Sequence, residues 1–434
     1  MRNRTRGVLT LLAVMLAPLL LPAQALAQDA VDSGNTAWLL TSSALVLLMT
    51  LPGLALFYGG MVRTKNILSV LMQCLITAGA VGILWVVIGY SLVWGEGNAY
   101  IGDLEYLGLA GIGPDSVVGS VPTYAFVAFQ GMFVIITPAL MLGAVAERLR
   151  FSAFLSFVLL WVLFVYCPLA HMVWAGGWLE SDLGALDFAG GLVVHMASGF
   201  SALAAAIFIG KRRGFGREPM PPNSLPFTVI GAALLWVGWF GLNAGSEAAA
   251  NGTSALAFLT TQTAAATCVL TWAIIEWLHR GKPTVFGAAT GAVAGLVAIT
   301  PACAYVSPMG AIAVGVGAAV FCYAAVTLLK PALGYDDSLD VFGIHGIGGA
   351  WGALATGLFI SGFALDPEVG RFEQTLRQLS SIGFTAVFVA GMTWAILFGL
   401  KLVLGDLRVS DEAEHEGLDL SEYSETAYGS YSPN

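Results

Sequence analysis

Eleven apolar stretches separated by short polar turns account for most of this chain. They run over about 36–60, 67–92, 124–145, 151–170, 188–209, 226–245, 254–278, 284–301, 309–329, 342–360 and 381–403. Each is near the ~20 residues that a helix needs to cross a bilayer. A backbone in lipid must satisfy its own hydrogen bonds, which a helix does within one segment. The pattern predicts an all-α polytopic membrane protein with eleven transmembrane helices. Ahead of them, MRNRTRGVLTLLAVMLAPLLLPAQALAQ has a basic start, an apolar run and the small-residue ending Ala25-Leu26-Ala27. That is the form of a secretory signal peptide over 1–27. The expected organisation is a leader, a membrane domain over 28–405, and a polar tail over 406–434.

Charge supports the same count independently. With the N-terminus outside, Arg63, Lys65, Arg148, Arg150, Lys211, Arg212, Arg213, Arg217, Arg280, Lys282, Lys330, Lys401 and Arg408 all fall on the cytoplasmic side. Removing Arg2, Arg4 and Arg6 from the 18 basic residues leaves 15, and 13 of these lie inside. The exceptions are Arg371 and Arg377. This is the positive-inside distribution.

Composition adds the class. At 57% hydrophobic and 10% charged, the 434 residues do not resemble a soluble globular protein. The 53 glycines suit close helix packing in lipid. The five cysteines are spread singly through the spans without CxxC spacing, which argues against a disulfide framework or zinc site. There is no Walker loop, GxGxxG cradle in a βαβ setting or HExxH motif. Nothing indicates an enzyme or a bound cofactor.

Two histidines stand at bilayer depth, His195 in DFAGGLVVHMASGF and His345 in DDSLDVFGIHGIGG. An intramembrane ionisable side chain needs a partner or a function. Asp187 precedes His195 by eight residues and Asp337 precedes His345 by eight. The two spans enter from opposite sides and stand five apart, so spans 1–5 and 6–10 are expected to form an inverted repeat, followed by a final helix. Eight residues of helix advance about 12 Å, which brings both imidazoles near the middle of a core about 30 Å thick. They are then close enough to hydrogen-bond. Bis-histidine haem ligation is a second reading, disfavoured because such proteins usually carry two pairs at depth.

The motifs PGLALFYGGMVRTKN, AFQGMF, GAVAERLRFSAF, PLAHMVWAGGWL, ALDFAGGLVVH, GWFGLNAGS, TPACAYVSPMGA and DDSLDVFGIHG resemble the Amt/MEP/Rh family of ammonium transporters, in its bacterial Amt branch. The resemblance covers nearly everything after the leader. It implies a homotrimer in the bacterial inner membrane, with one pore per protomer for ammonium or ammonia, and methylammonium as an alternative cargo. Matched residue by residue, it implies an outer recruitment site at Phe129, Trp174 and Ser246, with Asp187 holding its backbone. It implies an aromatic gate at Phe133 and a twin-histidine pore at His195 and His345. One position departs from the pattern: Leu242 stands where the family commonly has a second gating phenylalanine. Leucine excludes water but lacks a π face.

The implied mechanism is capture of the cation at an aromatic vestibule, deprotonation, and passage of neutral ammonia past the histidines. An ammonium sensor on the same fold is the alternative. The tail LRVSDEAEHEGLDLSEYSETAYGS is acidic and polar, as disordered segments are. It also resembles the Amt tail that docks a PII-type signalling protein, so it is expected to lie against the cytoplasmic face.

Overall fold

The structure, a computed structural model, describes residues 31–428; the leader expected over 1–27 lies outside the described residues. In chain order the apolar helices are α1 (Ser33–Met61), α2 (Thr64–Trp94), α3 (Thr123–Val145), α4 (Phe151–Ser181), α5 (Gly191–Ile209), α6 (Leu225–Gly245), α7 (Gly252–Arg280), α8 (Val285–Ile299), α9 (Pro308–Leu333), α10 (342–359) and α11 (Gly370–Leu404). Among the described residues, nine of these are long and apolar enough to cross a membrane. The other two are α8 and α10. Helix α8 has only 15 residues, because Pro301 follows directly and cannot continue it. Helix α10 is diluted by glycine and His345. Helix α11 starts well before the expected residue 381 and runs for 35 residues. That is about 52 Å of helix, more than a bilayer core requires.

Packing partners recur at an offset of five. Helix α1 packs on α3 and α6 on α8; α2 packs on α4 and α7 on α9; α3 packs on α5 and α8 on α10. Helices at corresponding places also meet each other, α1 with α6 and α5 with α10, and α11 lies along α5 and α10. Among the described residues, four of the six π-helical turns follow the same pairing, at 162–166 and 325–329 in α4 and α9, and at 191–196 and 342–346 in α5 and α10; those at 49–54 and 85–89 have no counterpart in α6 and α7. The α5–α10 crossing is the tightest of these contacts. A Cβ on Gly199 would stand 2.1 Å from the Gly346 nitrogen and 2.3 Å from its Cα. Only hydrogen fits there.

The basic loops gather at one end and are locked by buried charge. Arg63 donates to both Glu147 carboxylate oxygens, at 2.7 Å from its backbone N–H and 2.8 Å from Nε. Arg212 bridges Glu147 at 3.2 Å and Asp336 at 2.9 Å. Arg148, wholly buried, donates to the carbonyls of Gly210, Ala146, Ala144 and Asp336 and to the Ser338 hydroxyl. These contacts use every N–H of the guanidinium. Burial alone would raise the carboxyls of Glu147 and Asp336. The guanidiniums of Arg212 and Arg63 outweigh it at Glu147, and those of Arg212 and Arg148 do so at Asp336, so both are held below the usual range.

The tail folds onto this end as two short helices, α12 (Asp411–Glu416) and α13 (Leu418–Tyr423). Its carboxylates cap other helices. Asp419 accepts from the Leu68 and Ser69 amides at 3.0 and 2.8 Å, at the start of α2, and Glu422 accepts from Phe151 at 2.9 Å, at the start of α4. Glu414 accepts from the Arg213 amide and pairs with Arg408. Orphan amides at helix starts favour such anions, which is why an acidic segment is ordered here.

Two outcomes follow from this packing. Gly199→Ala should cost about 1–3 kcal/mol of stability by forcing α5 and α10 apart, read as a lower unfolding temperature in detergent. The depressed carboxyls of Glu147 and Asp336 stabilise the fold fully above their unfolded values of about 4. That contribution is lost as pH falls through their lower folded values. The melting temperature should therefore hold from about pH 6 to pH 5 and drop in stronger acid. Glu147→Gln should remove part of that acid sensitivity.

Candidate functional site

The starts of α5 and α10 aim at each other from opposite ends, and each is organised by an aspartate. The Asp187 carboxylate accepts from the amides of Gly190, Gly191, Leu192 and Val193 at 2.9, 2.6, 2.7 and 3.2 Å. Asp337 accepts from Phe342 at 2.7 Å. In each case a π-helical turn follows and places a histidine inward: His195 in 191–196 and His345 in 342–346. Gly190, at φ 111°, makes the left-handed bend into α5, a conformation open to glycine.

The structure brings the two imidazoles together. Their Nδ1 atoms are 3.3 Å apart and their ring centroids 5.4 Å apart. On its other edge, His195 Nε2 is 3.3 Å from the Thr300 hydroxyl. That hydroxyl donates its one proton to the Leu296 carbonyl at 2.8 Å and accepts from Trp239 Nε1 at 2.8 Å. It therefore has only a lone pair left for His195. In a neutral pair this fixes the protons: His195 carries its hydrogen on Nε2 and accepts on Nδ1, so His345 donates from Nδ1. His345 Nε2 is left as an acceptor, and His345 lines a small cavity with Tyr58, Leu339, Asp340 and Ile344. A chain of single protons thus runs from Leu296 to His345 with no net charge.

Toward the opposite end from the basic loops, three aromatic rings stand edge to face. Phe133 contacts Phe129 at 5.0 Å and Trp174 at 5.8 Å between centroids. The Trp174 indole N–H donates to the Asp187 main-chain carbonyl at 2.8 Å. Its edge is thus fixed. Ser246 closes α6, its hydroxyl donating to the Leu242 carbonyl at 2.8 Å; the oxygen keeps its lone pairs. Leu242 is fully buried on the same helix. The side chain of Asp187 is spent on four backbone amides, so it holds the start of α5 in place.

Three residues of this site were not singled out from sequence. Trp239 stacks on His195 with centroids 5.2 Å apart and planes inclined by 24°. Thr300 sets the tautomer, and Gly199 sets the approach. Trp239 lies three residues before Leu242 in a motif already noted, but its stacking on His195 depends on the α5–α6 arrangement, which local sequence does not carry.

A buried, hydrogen-bonded histidine pair and a cluster of aromatic rings, inside a polytopic helical bundle, fit a membrane transport protein for a small polar solute. The sequence model of the Ammonium Transporter Family matches residues 37–428. An ammonium transporter of Bacillus subtilis is 46% identical over 402 residues, covering 91% of this chain and 98% of that protein. The ammonium transporter Amt1 of Archaeoglobus fulgidus is 43% identical, covering 92% and 100%. The crystal structure of Candida albicans Mep2 superposes with a TM-score of 0.82 at 36% identity over 88% of each chain. The chain belongs to the ammonium transporter family, and its function is ammonium transport.

Thr300→Val tests the proton assignment. It removes the shared acceptor and leaves two buried N–H groups unpaired, each costing about 1–3 kcal/mol. The variant should melt at lower temperature than wild type. The His195 ring should show a mixture of tautomers by nitrogen-15 NMR where wild type shows one.

Proposed function

We propose that ammonium is captured at Phe129, Trp174 and Ser246, releases its proton to water on the outer side of the apolar gate at Phe133 and Leu242, crosses as ammonia past His195 and His345, and takes a proton from water inside. One observation carries this reading: the buried histidine pair with Nδ1 atoms 3.3 Å apart, in a bundle where Phe133 and Leu242 are buried as well. A desolvated cation meets no counter-charge there and is strongly disfavoured. Ammonia can donate to the ring nitrogen left free, His345 Nε2. With Leu242 in place of a ring, the second half of the gate excludes water by bulk alone.

The topology proposed around this path is eleven spans, inverted fives plus α11. The vestibule faces outward and the basic end faces the cytoplasm of a bacterial inner membrane. The recurrence of packing partners at an offset of five and the clustering of arginines at one end support it. The family resemblance supports a homotrimer with lipid around it. It also supports a PII-type partner at the cytoplasmic face, where the docked tail ties α2, α4 and the loop before α6 together. A sensor reading is favoured by one neighbour, a structure described as a sensor Amt protein, with TM-score 0.83 at 28% identity over 90% of this chain.

Uptake of labelled methylammonium into cells lacking their own transporter tests these assignments. The full chain should restore uptake, whereas a sensor would not. Trp174→Leu keeps apolar bulk but removes a cation–π contribution of about 0.5–2 kcal/mol. It should weaken apparent affinity by roughly 2- to 30-fold with expression intact. Deleting 411–434 should change transport and abolish PII binding; unchanged values for both would remove the tail's proposed role.

A further inference from the structure

His171 is buried on α4, one turn before Trp174, and takes no part in the path above. Its Nδ1 lies 2.7 Å from the Val93 carbonyl oxygen and its Nε2 lies 2.6 Å from that of Asn98. Carbonyl oxygens only accept, so each contact needs an N–H, and a neutral imidazole has one. A neutral ring would press a bare nitrogen lone pair against a carbonyl oxygen at hydrogen-bond distance. We infer that His171 is a buried imidazolium, a proton-dependent clamp that positions the Trp174 turn of α4 against the end of α2 and the loop beyond it.

The surroundings are built for a cation. At the end of α2, Gly95 N–H takes the Ser91 carbonyl and Gly102 N–H takes that of Leu92, which leaves Val93 for the histidine. His171 thus meets one of the orphan carbonyls of a helix C-terminus, the end that favours positive charge. It also lies in the last turn of its own helical segment, Cys167–Trp174. The short distances are those of charge-assisted bonds. Charged groups on the packed elements are mostly acidic: Glu96, Asp103 and Glu105 on the loop, Glu180 and Asp182 at the end of α4, and Asp187 before α5. Tyr90 and Tyr106 are neutral, Tyr124 lies on α3, and Arg377 of α11, paired with Glu373, lies beside Gly184. No lysine or arginine occurs between residues 66 and 147 or between 151 and 210.

The same loop is held to α4 by one further backbone bond, Trp178 N–H to the Ala99 carbonyl at 3.0 Å. Loss of one ring proton strands a buried carbonyl and frees one side of this junction. Trp174 then loses its fixed place, and ammonium binds more weakly as the outer medium becomes alkaline. The link to Trp174 rests on the vestibule reading above; the charge on His171 does not.

Nitrogen-15 NMR of the full-length protein in lipid, labelled at histidine, reads the ring directly, with His171→Gln assigning the signal by its loss. Two protonated ring nitrogens at neutral pH are expected; one protonated and one bare nitrogen would overturn the inference. Methylammonium uptake is then measured as the outer pH is raised, alongside the same ring signals. In wild type the apparent KM should rise severalfold as the second N–H signal is lost, with the maximal rate nearly constant, and in His171→Gln it should not vary with pH. Matching KM profiles in the two proteins would overturn the positioning role. A normal affinity in Trp174→Leu beside an intact imidazolium signal would instead count against the vestibule reading and leave the charged clamp standing.

Discussion

Gly199 and Gly346 let the backbones of α5 and α10 meet without intervening side chains, and the His195–His345 hydrogen bond depends on that approach. A methyl group on Gly199 would fall 2.1 Å from a backbone nitrogen. The helices would have to separate, and the 3.3 Å contact between the imidazoles would lengthen with them. Packing and chemistry are therefore one constraint at this crossing. In lipid no hydrophobic force draws helices together, so close van der Waals packing at small residues must supply the contact.

Around that crossing the protein uses the same device twice. An aspartate caps the start of a helix, a π-helical turn follows, and the turn delivers a histidine to the interior. Asp187 does this for His195 and Asp337 for His345. The extra residue of a π-helical turn breaks the regular helix face, as often happens at functional positions. Thr300 then makes the pair asymmetric. Its single proton is committed to Leu296, so one imidazole becomes the acceptor and the other the donor. A second proton between the Nδ1 atoms would leave two donors facing each other, so the pair shares a single proton there.

Much of this was legible in the sequence because membrane helices announce themselves by length and charge. The spans, the sorting of arginines to one end and the spacing of Asp187 and Asp337 from their histidines all follow from local pattern. The juxtaposition of His195 and His345 followed from inversion and bilayer thickness. Trp239 and Thr300 did not, because their roles come from where α6 and the turn after α8 fall relative to α5. Helix α8 is shorter than its apolar stretch because Pro301 ends it. Composition alone reads the acidic tail as disordered, and only the family resemblance implies that it docks; Asp419 and Glu422 bond helix starts supplied from elsewhere in the chain. The charge on His171 is likewise invisible in sequence, since it arises from two carbonyls brought to one ring.

The central claim is that a neutral histidine pair carries ammonia and denies passage to bare cations. Current through reconstituted protein, recorded in potassium and in ammonium for wild type and His195→Asp, tests it most directly. A carboxylate at this depth supplies the counter-charge that the imidazoles withhold. Wild type should carry no potassium current and the variant should carry one. A variant as closed to potassium as wild type would contradict the account and leave His195 as a packing residue.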